Sequence, residues 1–154
     1  MSPPPTPMIA QTIQLALAPV FVLVAIGNIM NILTTRLGRV VDRSRHLQKL
    51  YRETTGAEHD VVVIELRHVD ARIALIGRAL LLLVMSGLAI GLTVGALFLG
   101  EVGGAEFRLT VGTLFFVAIL LLMVALVHLL LETRIVHRSL RLPRDLLELE
   151  RRDL

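Results

Sequence analysis

Two carboxamides, Asn28 and Asn31, lie in an otherwise apolar run, and they offer the clearest chance of chemistry in this chain. At 100° per residue, a helix through them brings Leu17, Phe21, Val24, Asn28, Thr35, Arg39, Asp42 and His46 within about 40° of one line, with Asn31 and Lys49 beside it. The stripe is apolar in its first half, polar in its second, and then charged. An amide facing lipid is costly, so Asn28 and Asn31 should face protein or water. Two arrangements meet that demand. Several copies of the helix around an axis would make the stripe a pore. Phe21 and Leu17 would then form an apolar constriction, Asn28 and Thr35 would offer ligands to an ion, Arg39 would form a basic ring, and Val24 and Asn31 would complete the lining. Alternatively, the two asparagines hydrogen-bond to other helices of the same subunit.

Other spacings suggest less. His128 and Glu132 are four apart on one helix face, a spacing that can bind a metal or relay a proton. No further ligand pattern surrounds them. Arg78 opens an apolar run at a similar depth, so a Glu132–Arg78 ion pair is the simpler expectation. Gly87, Gly91 and Gly95, beside Ser86, make a tandem small-xxx-small pattern that lets another backbone approach, either the first helix or another subunit. His46, His59, His68 and His137 read as solvated residues. Glu65, Arg67, His68, Asp70 and Arg72 read as a charged helix face. Cysteine is absent, which excludes disulfides and thiolate sites. With no phosphate loop, nucleophile elbow or dinucleotide fingerprint, we expect no catalytic residue, no metal, no cofactor and no enzyme activity.

The elements that must position these residues are membrane helices. The 154 residues are 55% hydrophobic. Three runs, residues 13–33, 79–99 and 109–131, lack Asp, Glu, Lys and Arg, and each has roughly the 20 residues that a helix needs to cross hydrocarbon. Residues 1–12 open with four prolines among the first seven positions and read as a short disordered tail. No Lys or Arg precedes Arg36, so the first run reads as a retained helix rather than a cleaved signal. Of the 16 basic residues, all but Arg108 fall in residues 36–78 or after Glu132. The positive-inside rule then places the N-terminus outside and the C-terminus in the cytoplasm. Leu37, Val40, Ser44, Leu47 and Tyr51 form one helical seam, and Val62, Leu66, Val69, Ile73 and Ile76 form another, with Thr54-Thr55-Gly56 between them as the turn. The predicted fold is all-α. It has three transmembrane helices over residues 13–142, and extensions of the first two form a cytoplasmic antiparallel hairpin over 36–78. Pro143 then ends the third helix, and residues 143–154 form a short amphipathic tail.

Ala18-Pro19, Asn28, Asn31, Thr35-Arg36-Leu37 and Arg39-Val40-Val41-Asp42-Arg43 resemble the opening of a family of small bacterial three-pass inner-membrane proteins known as a domain of unknown function. ELRHVDARIALIGRALLLL and LFFVAILLLMVALVHLLLETRI are similar to its later parts. The resemblance implies topology and a bacterial plasma membrane, and no activity. The partners expected are lipid, further copies in a cyclic homo-oligomer, and ions. Nucleic acid is not expected, because a basic excess flanking apolar runs serves orientation. The leading expectation is an ion channel lined by the first helix. The alternative is a non-conducting scaffold whose basic hairpin binds a protein or anionic lipid.

Overall fold

The computed structural model describes residues 6–103 and 108–139, with side chains described for 10–100 and 109–134. They form three helices, α1 (Thr6–Glu53), α2 (Ala57–Gly103) and α3 (Arg108–Ser139), and no strand among the described residues. All three are long and apolar enough to cross a membrane. α1 has 48 residues and α2 has 47. At 1.5 Å per residue each is about 70 Å long, more than twice the hydrocarbon thickness, so both continue well past their apolar runs.

α1 begins at Thr6, inside the stretch expected to be an irregular tail. The expectation overrated Pro7. In the first turn of a helix a proline lacks only a donor that would have no intrahelical partner. Pro143 and the tail 143–154 lie outside the described residues. α1 ends where Thr54 N–H and Oγ1 both donate to the Leu50 carbonyl, at 3.0 and 2.9 Å. Gly56 then takes φ +67°, a left-handed conformation that a side chain would oppose. Glu58 and Asp60 in the first turn of α2 complement its dipole.

Buried positions recur every seven residues. On α1 they are Thr12, Pro19, Ile26, Leu33, Val40 and Leu47. On α2 they are Val62, Val69, Ile76, Leu83 and Ile90. A strict heptad marks left-handed coiled-coil packing, which runs here from the arms into the apolar spans without a break. Tyr51 stacks on His59 with ring centroids 4.5 Å apart, and Arg43 binds Glu65 at 2.7 Å. That register sets Val40 level with Val69, Leu33 with Ile76 and Ile26 with Leu83.

A second row on α2, Ala79, Ser86 and Thr93, is also buried and lies about 60° around the helix from the first. It faces Ala118 and Ala125 of α3, and Ser86 Oγ donates to the Ala118 carbonyl at 2.7 Å. α2 is therefore the central helix. The small residues that bring helices together within the chain are these, spaced by seven. The glycines spaced by four behave differently. A Cβ on Gly87 would meet Leu23 Cδ1 at 3.6 Å, an ordinary contact, while Gly91 and Gly95 have nothing within 4 Å.

Candidate functional site

Two features stand out, one buried and one exposed. The buried one is Glu132, which continues the seven-residue row of Ala118 and Ala125 and is fully enclosed at 0% exposure. Arg72, seven residues before Ala79, faces it. Its Nε and Nη2 donate to Oε1 at 3.0 and 2.9 Å. Arg36 of α1 donates from Nη1 to Oε2 at 3.2 Å. One carboxylate of α3 thus ties α1 and α2 together where each apolar run meets its charged segment. The two guanidinium side chains stay 41% and 27% exposed, so the cluster has one buried anion and two half-hydrated cations.

This arrangement corrects the expected Glu132–Arg78 pair. Depth and direction both decide, since Arg72, which meets Glu132, lies six residues or about 9 Å before Arg78 along α2. Arg78 is two positions from the seam residue Ile76, about 160° away on a helix, and it is exposed. The partners that were missed carried a legible signal. Arg36 and Arg43 are seven apart, as are Glu65 and Arg72, and each pair lies three residues from a buried seam position. His128 does not complete a metal pair with Glu132 here. Its Nδ1 lies 2.9 Å from the Val124 carbonyl, and both Glu132 oxygens are taken by arginine. Among the described residues no group of three His, Cys, Asp or Glu is placed to hold a metal.

The exposed feature is the α1 stripe. Asn28 lies two positions past the buried Ile26, on the side of α1 turned away from α2. Leu17, Phe21 and Val24 are 48%, 70% and 59% exposed, and Asn28, Asn31, Thr35 and Arg39 are exposed as well. The structure therefore keeps all seven residues on one face, with no other helix over them among the described residues. Thr35 Oγ1 donates to the Asn31 carbonyl at 3.0 Å and Thr34 Oγ1 to the Met30 carbonyl at 2.8 Å. That is the usual local recourse of a helical threonine, and it leaves each hydroxyl oxygen free to accept. The side chains of Asn28 and Asn31 have no hydrogen bond to any described residue, so these amides do not stitch α1 to the described side chains of α2 or α3.

A family model described as a protein of unknown function, DUF2721, matches residues 16–142. No curated protein and no solved structure matches the chain.

Proposed function

The chain belongs to the DUF2721 family, and from that premise we propose that it is a homo-oligomeric membrane protein that conducts ions along α1. One observation carries the reading: the Asn28 and Asn31 amides lie within an apolar span, exposed and without a partner among the described residues. An unpaired amide in hydrocarbon costs on the order of 1–3 kcal/mol by protein mutational scales, and two on one face double the demand. Copies arranged around an axis meet it by turning the stripe towards water. Phe21 and Leu17 then narrow the path, Val24 lies between them and the amides, Asn28, Asn31 and Thr35 supply oxygens to a partly dehydrated ion, and Arg39 rings one mouth. On this reading the N-terminus is outside, the hairpin is in the bacterial cytoplasm, as the basic residues favour, and no catalytic step is involved.

The test is ion flux through the purified protein in liposomes. Asn28→Leu and Thr35→Leu should each abolish flux while the oligomer, sized by crosslinking, stays intact. Wild-type protein that passes no ion under any gradient refutes conduction. A second reading has its own support. The hairpin arms run about 26 Å past Arg36, and Arg39, Arg45, Arg52 and Arg67 on them are exposed. A scaffold would use these arginines to hold an acidic protein or lipid surface, and both leucine variants would leave that binding unchanged.

A further inference from the structure

Arg78 is left without a described partner once Glu132 is shared between Arg36 and Arg72. It lies six residues beyond Arg72 towards the apolar run of α2, about 9 Å deeper along the helix. By the register of the hairpin it is level with Asn31. It is exposed, and it makes no hydrogen bond or ion pair to any described residue. Its own helix face supplies no counter-charge nearby. Ala74 is one turn below it, and the turns above present Leu81, Met85 and Leu88, at 63%, 49% and 60% exposure.

A guanidinium at the edge of an apolar band is retained when its long stem turns it towards polar groups and an anion meets it there. No described residue offers such an anion, and Leu81, Met85 and Leu88 present an apolar surface beside it. We propose that Arg78 binds the phosphate of an anionic phospholipid in the leaflet on the hairpin side, with the lipid's acyl chain lying along Leu81, Met85 and Leu88. A net negative headgroup is favoured over a zwitterionic one because no carboxylate among the described residues near Arg78 would receive a choline or ethanolamine cation. Arginine also presents a planar fork of donors to phosphate oxygens. The inference needs only that α2 spans the bilayer, and it stands whether or not the protein conducts.

Native mass spectrometry of the full-length protein released from detergent tests it, with phosphatidylglycerol and phosphatidylcholine titrated separately. The wild type should hold phosphatidylglycerol more tightly than phosphatidylcholine. Arg78→Gln should weaken phosphatidylglycerol about fivefold, the worth of one interfacial arginine, and Arg78→Lys should restore most of it. Lys49→Gln, on an exposed lysine of the α1 arm far from the apolar run, should change it little. A circular dichroism melt checks that each variant is folded. Three results would each overturn the proposal. The wild type could show no preference for phosphatidylglycerol. Inorganic phosphate could displace the lipid, marking a site for free anions. Arg78→Gln could dissociate the oligomer with lipid binding per subunit unchanged, marking a carboxylate of a second copy as the counter-ion.

Discussion

Removing Arg72 should destabilise the fold more than removing any other basic residue of the described helices. Glu132 is wholly enclosed, and Arg72 supplies two of its three hydrogen bonds, both to Oε1. Arg72→Ala leaves that oxygen buried with no donor, and the remaining Arg36 contact at 3.2 Å reaches only Oε2. Breaking a buried pair so that one charge stays uncompensated costs about 3–5 kcal/mol. The lower half of that range applies, because Arg36 still neutralises part of the charge. Arg36→Ala removes one bond from a side chain that is 41% exposed, and should cost about 1–2 kcal/mol. Arg78→Ala touches nothing described and should stay within about 0.5 kcal/mol of wild type. The assay is reversible unfolding in mixed micelles at increasing SDS fraction, followed by helical circular dichroism, with all three variants under one condition. If Arg72→Ala were as stable as wild type while Arg78→Ala lost several kcal/mol, the carboxylate would be paired with the other arginine and the register of α2 against α3 would be wrong.

Three further outcomes follow from the packing. Ala125→Leu forces a large side chain into the close α2–α3 seam and should cost about 1–3 kcal/mol in the same unfolding assay, whereas Gly91→Ala enters open space and should be neutral or slightly stabilising. Gly56→Ala meets φ +67° and should lose about 1–2 kcal/mol, with protease cleavage at the hairpin turn as a second readout. Arg43→Ala breaks a pair whose side chains are 48% and 41% exposed; it should cost less than about 1 kcal/mol, and that small loss should vanish in high salt.

Length and charge made the helices legible from sequence. An uncharged run of about 20 residues has few other fates. Thr54-Thr55-Gly56 declared the turn, and the α1 stripe was found because its residues share one helical phase with one another and not with the seam at Val40 and Leu47. One error is plain: the expected pair takes Arg78 to be level with Glu132 and does not ask which way its helix face points. In a coiled coil the facing direction follows a seven-residue step. Ala79, Ser86 and Thr93 keep that step against Ala118 and Ala125, but alanine, serine and threonine are common and draw little notice. The four-residue glycine step drifts off the seam, so Gly91 and Gly95 end on open surface. Pro7 was misjudged because proline is a poor helix residue everywhere except at the start.

The way Glu132 is shared also bears on the order in which the molecule can be made. Arg36 and Arg72 reach the same carboxylate from two helices that are made before α3, and Glu132 lies 96 residues after Arg36. Until α3 is in place, the α1–α2 pair brings two like charges towards one point without the carboxylate that joins them. The third helix supplies the missing sign, so the arginine end of the pair is complete only when all three helices are present.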